Sequence, residues 1–158
     1  MSEYGKLFKR NEEQKAKFVL KSYDPDKDKY FEVINRAREG GYRQVIVNSK
    51  IMTNILFSTI NSNGVILKVN MSENTDRDIN DNIKVVIRKL REDRLLFVKL
   101  KEQLEWASES GSIDINSIEV YYNQNRYEIY SNGIVTGKDI AIIFEENIKT
   151  VLEDYFYG

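Results

Sequence analysis

Residues 118–157 read IEVYYNQNRYEIYSNGIVTGKDIAIIFEENIKTVLEDYFY, and two different periodicities meet within them. In the first part Ile118, Val120 and Tyr122 alternate with Glu119 and Tyr121, the signature of a strand with one face buried and one face wet. Asn123-Gln124-Asn125 turns the chain into a second strand over Arg126 to Ser131. Asn132-Gly133 then signals another tight turn before a short strand at Ile134-Val135. Beyond Thr136 and Gly137 the spacing changes from two to 3.6. Ile140, Ile143, Phe144, Ile148, Val151, Leu152 and Tyr155 form one apolar stripe, as on an amphipathic helix. A sheet with one greasy face followed by a helix able to cover it predicts an α+β domain.

Working upstream, residues 75–108 carry Ile79, Ile83, Val86, Leu90, Phe97, Leu100, Leu104 and Ala107 at steps of three, four or seven. This predicts one long helix, or two broken near Arg91-Glu92-Asp93-Arg94. A strand at Leu95-Leu96-Phe97-Val98 is the alternative reading there. Lys17 to Tyr23 reads as a first strand. Asp24-Pro25-Asp26 reads as a helix start, and Gly40-Gly41 as the helix end. Tyr42 to Val47, a helix over Lys50 to Ile60, the turn Asn63-Gly64 and Val65 to Asn70 complete a β-α-β-α-β order. That order predicts a mixed sheet of about five or six strands, with parallel neighbours joined by right-handed crossovers. Residues 1–16 are polar and weakly patterned and are expected to be a flexible arm or frayed helix, with Tyr4, Leu7 and Phe8 as a docking stripe.

Length and composition bound the rest. A chain of 158 residues with 41% hydrophobic and 31% charged residues fits one globular domain, residues 1–158. No apolar run approaches the roughly 20 residues that span a bilayer, and the first ten residues lack the apolar core of a signal peptide. The expectation is a cytoplasmic chain with no membrane partner. There is no cysteine and no histidine. That excludes disulfides, thiolate nucleophiles, cysteine zinc sites and the Ser-His-Asp arrangement. An enzyme built from this chain would need carboxylates, Lys, Arg, Tyr, Ser or Thr; no cofactor is expected, except Mg²⁺ under the nuclease alternative below. The net charge of −1 supplies no global attraction toward nucleic acid, so such binding would need a local patch.

Five local features bear on chemistry. Asp24-Pro25-Asp26-Lys27-Asp28 superficially follows a calcium loop, but Lys29 and Asn35 occupy the positions that need glycine and a bidentate carboxylate. Asn48-Ser49-Lys50 lies between a strand and a helix, where amides can hold phosphate; with no glycine-rich loop around it, capping by Ser49 is the simpler reading. Arg77, Lys84, Arg88 and Arg91 recur at steps of three, four or seven beside the apolar stripe. They could meet successive phosphates, or form a solvated face paired with Asp81 and Glu92. Asp93 or Arg94 interrupts that stripe, either as a helix break or as a polar group facing the core. Last, Tyr121, Arg126 and Tyr130 share the outer face of the hairpin with Glu119 and Glu128. Rings and a cation there suit the stacking of unpaired bases, although cross-strand pairs of this kind also stabilise ordinary sheets. A two-residue turn at Gln124-Asn125 would make Tyr121 and Tyr130 diagonal neighbours.

Three functions fit these features. One is a non-catalytic nucleic-acid-binding or adaptor module of an assembly, with Arg77, Lys84, Arg88, Arg91, Tyr121, Arg126 and Tyr130 as the binding residues. Another is a Mg²⁺-dependent nuclease or nucleotidyl-transfer enzyme using convergent carboxylates. The third is a structural subunit of a homo-oligomer, with Tyr155-Phe156-Tyr157 against a protein partner. No catalytic residue is marked by any motif.

Overall fold

The computed structural model describes residues 2–72, 75, 77–90, 92–93, 95–110 and 113–157. The fold is α+β: one antiparallel sheet of seven strands with five helices. The strands are β1 (Glu3–Asn11), β2 (Ala16–Ser22), β3 (Arg43–Gln44), β4 (Val65–Met71), β5 (Ile115–Tyr122), β6 (Asn125–Tyr130) and β7 (Ile134–Gly137). The helices are α1 (Tyr30–Glu39), α2 (Ser49–Asn61), α3 (Arg77–Leu90), α4 (Leu96–Glu109) and α5. The last comprises Ile140–Ile143, a π-helical turn Phe144–Ile148, and Lys149–Tyr157.

The sheet runs β2-β1-β7-β6-β5-β4, with β3 paired to the end of β1. Every pairing is antiparallel, so the parallel crossovers and the mixed sheet of five or six strands are not what forms. The reason lies at the N-terminus. Residues 3–11, expected to be an arm, form a central strand that pairs with β2 on one side and with both β7 and β3 on the other. With β1 so occupied, β3 shrinks to two residues, and α2 carries the chain to the far edge, where β4 pairs with β5.

Helices α2 to α5 cover one face of the sheet. Their apolar stripes bury Ile51, Met52, Ile55, Leu56, Ile83, Leu100, Leu104, Ile143 and Ile148 against Leu7, Ile66, Val69, Ile118, Val120, Ile129 and Val135. The segment after Leu90 breaks into two helices as expected, with the amide of Leu95 donating to Asp93 Oδ1 in the connection. Asp93 is exposed at this break rather than facing the core. Asn48, not Ser49, caps α2, its Oδ1 accepting from the Ile51 amide at 2.9 Å; the Ser49 hydroxyl accepts from the amide of Ile115. In α5 the π turn brings Asn147 onto the same buried side as Phe144 and Ile148.

Helix α1 lies on the opposite face. It begins at Tyr30, not at Asp24. Residues 24–28 form a self-bonded turn instead, in which Asp26 N donates to Asp24 Oδ1 and Asp24 N donates to Asp28 Oδ2. The aromatic tail packs in part on its own chain, while Tyr155, Phe156 and Tyr157 stay partly exposed. Phe156 packs on Phe18 with ring centroids 5.5 Å apart, and the Tyr157 hydroxyl accepts from the Ala16 amide. Among the described residues no helix is long and apolar enough to cross a membrane.

Candidate nucleic-acid interface

Strand alternation divides the sheet into a helix-covered face and an outer face. Ile118, Val120, Tyr127, Ile129 and Val135 point toward the helices and are buried. Their neighbours Ser117, Glu119, Tyr121, Arg126, Glu128, Tyr130 and Thr136 point the other way. Helix α1 shelters the part of this outer face that belongs to β1 and β3, where Phe8 is buried and Tyr30 reaches Gln44. Over β4 to β7 the tyrosines of the outer face remain open to solvent: Tyr121 is 43% exposed and Tyr130 37%, with Tyr4 of the neighbouring β1 at 38%.

Register fixes how these groups meet. Glu119 stands opposite Glu128, Tyr121 opposite Arg126, and Ser117 opposite Tyr130. On β4, Lys68 stands opposite Glu119. The hairpin turn is at Asn123-Gln124, both with positive φ (50° and 65°), and not at Gln124-Asn125. Tyr121 and Tyr130 therefore keep the expected face but are not diagonal neighbours. They stand four residues apart along the strands, roughly 13 Å, with the two glutamates between them.

Charge on this face is locally balanced. Arg126 Nε donates to Glu119 Oε1, which raises the arginine pKa further. Burial, followed by hydrogen bonding to Glu128, raises that of Tyr130. Tyr4 continues the aromatic surface toward α1: Tyr4 and Tyr23 meet edge to face at 6.5 Å, Tyr23 and Tyr30 at 6.3 Å, and Tyr30 and Phe31 at 5.8 Å. Phe31 ends the series, largely exposed. Beneath Tyr30 lies Lys6, almost fully buried. Its ammonium donates to the carbonyl of Asn132 and sits 5.6 Å from the Tyr30 ring centroid and 5.8 Å from that of Phe8. With no carboxylate paired to it among the described residues, burial lowers its pKa to about 8.

The basic flank of α3 lies elsewhere. Arg77, Lys84 and Arg88 are exposed on a helix that packs against α4 and β4 in the helical layer, across the sheet from Tyr121, Arg126 and Tyr130. Among the described residues no ion pair joins them to Asp81 or Glu92. Arg91 lies outside the described residues. The structure thus brings Tyr121, Arg126 and Tyr130 to one face and does not bring the α3 cations to it. Tyr23 and Tyr30 are the members that sequence reasoning missed, while Tyr4 was expected on a docking stripe of an arm rather than in a strand. The one signal of that strand was the alternation of Tyr4, Lys6 and Phe8 with Gly5 and Leu7, hidden by the charge of Lys6. Among the described residues no group of three or more carboxylates is placed to hold a metal ion. Comparison with known protein families, curated proteins and solved structures gives no match.

Proposed function

We propose that this chain is a non-catalytic, cytoplasmic binding module that holds single-stranded nucleic acid across its outer sheet face. The observation that carries the reading is the uncovered face over β4 to β7, with Tyr121 and Tyr130 standing on it and Tyr4 at its margin. Exposed rings on a rigid sheet offer stacking surfaces to unpaired bases, each worth about 1–3 kcal/mol. A duplex hides its base faces, so the same surface discriminates against it. Arg126 and Lys68 lie beside the rings and reach toward the backbone. The central glutamates repel phosphate, which keeps the affinity modest. They also accept hydrogen bonds from exocyclic amino groups, as carboxylates do from cytosine N4. Strands rich in cytosine are thereby favoured over oligo-dT.

Fluorescence anisotropy with labelled oligo-dC, oligo-dT and a duplex, each with Mg²⁺ or EDTA, tests this directly. Binding to single strands, tighter for oligo-dC, is expected, with the duplex bound weakly and no strand cut. Tyr121→Ala and Tyr130→Ala each weaken binding by about 1–3 kcal/mol, whereas Phe at either position keeps most of it, because stacking needs the ring. Equal affinity for duplex, or alanine variants that bind unchanged, defeats the proposal.

A further inference from the structure

Helix α4 is amphipathic in an unequal way. One side buries Leu100, Leu104 and Ala107 against α2 and α3. The other side is also apolar in part: Val98 is 59% exposed and Trp106 61%, and Leu95, just before the first turn, 84%. Leu95, Lys99, Glu102 and Trp106 follow one another at steps of four, three and four, so they share one outward stripe. A large indole held in water at the end of such a stripe is of the residue type most enriched at the energetic centres of interfaces.

The charges on the helix say what would cover it. Its first half carries Lys99 and Lys101, and its second half Glu102, Glu105 and Glu109. A parallel copy would set like charges against like. An antiparallel copy, crossing between Leu100 and Lys101, sets Lys99 against the second copy's Glu102 and Leu95 against the second copy's Trp106. The two-fold axis repeats both contacts. We infer that this chain forms a symmetric dimer through α4, with two antiparallel copies of the helix packed along the stripe Leu95, Lys99, Glu102 and Trp106. The contact lies on the helical side, away from the tyrosine face, so each protomer keeps that face open.

Trp106 is the only tryptophan in the chain, so its fluorescence reports on this surface alone. Sedimentation velocity and tryptophan emission are measured together over a concentration series. A dimer is expected, with emission moving to shorter wavelength as it forms. Leu95→Asp, at an exposed position, gives a monomer with concentration-independent emission and unchanged far-ultraviolet circular dichroism. Lys99→Glu and Glu102→Lys alone each weaken the dimer about tenfold, and the double variant restores it. A protein that stays monomeric to ~100 µM overturns the inference, as does a dimer insensitive to Leu95→Asp and to both single charge reversals.

Discussion

The side-chain amide of Asn147 donates to the hydroxyl of Tyr127 at 2.8 Å, and both residues are fully enclosed. The same amide donates to Thr59 Oγ1 at 3.2 Å, and Asn147 Oδ1 accepts from the Ser58 hydroxyl. Each polar atom of the asparagine thus has a partner, supplied from α2 and β6. Tyr127→Phe removes one acceptor and leaves one N–H unpaired, at a cost of about 1–2 kcal/mol. Asn147→Ala strands Tyr127 and Ser58 and opens a void, at about 2–4 kcal/mol. Urea unfolding of both variants and of their double mutant checks this. The double mutant is expected to cost less than the sum, since the two share one interaction.

Lys6 makes stability depend on pH in a defined window. In the unfolded chain its amine has the ordinary value of 10.5, and in the fold about 8. Between those values the unfolded chain holds more protons, so stability rises with pH. Below pH 8 both states are protonated and the cost of burying the ammonium is borne in full. A gain of roughly 1–2 kcal/mol is expected between pH 7.5 and 9.5. Above pH 10 the buried Tyr127, whose pKa is raised mainly by burial, acts oppositely and stability falls. Urea midpoints across this range should rise in the native protein and stay flat in Lys6→Met.

In the proposed binding mode Glu128 opposes a base that lacks an amino group. Glu128→Gln removes the charge that faces phosphate and keeps the shape of the side chain. Affinity for oligo-dT should rise about three- to tenfold, with the preference for oligo-dC narrowed. Anisotropy titrations at fixed salt decide it, and an unchanged affinity for oligo-dT would place the strand away from the glutamates.

The α3 cations supply a control. Because Lys84 and Arg88 lie across the sheet from the tyrosines, the double variant Lys84→Ala with Arg88→Ala should bind single strands as the native protein does. The slope of log affinity against log salt should also be unchanged. A slope reduced by about two contacts would move the binding surface to α3.

What was legible in the sequence is what local periodicity encodes. The stripe of α5 and the alternation in β5 and β6 place Ile148, Ile118, Val120 and Ile129 inside, and inside they are. The asparagine-rich turn was misplaced by one residue. Left-handed backbone favours Asn over Gln, and nothing local says that Gln124 must adopt it. That single slip preserves each side chain's face but shifts its cross-strand partner by two, which is why the two tyrosines were expected side by side. β1 was invisible for another reason. Lys6 is buried under Tyr30 and bonded to Asn132, so its environment is made by residues distant in sequence, and a charged residue reads as solvent-facing. The separation of the α3 cations from the tyrosines is likewise a matter of which side of the sheet a helix takes.

The seam between β1 and β7 has a consequence for how the chain is made. Lys6 and its acceptor Asn132 are 126 positions apart, yet they lie at the middle of the sheet. A ribosome adding ~5–20 residues per second needs roughly 6–25 s to pass from one to the other. For much of that interval the part of β1 that meets β7, Glu3 to Lys6, has no partner on that side, and Leu7 and Val135 have not met. These parts of the nascent chain are therefore two unfinished sheet fragments until Ile134–Gly137 is translated, and chaperones have that interval in which to act.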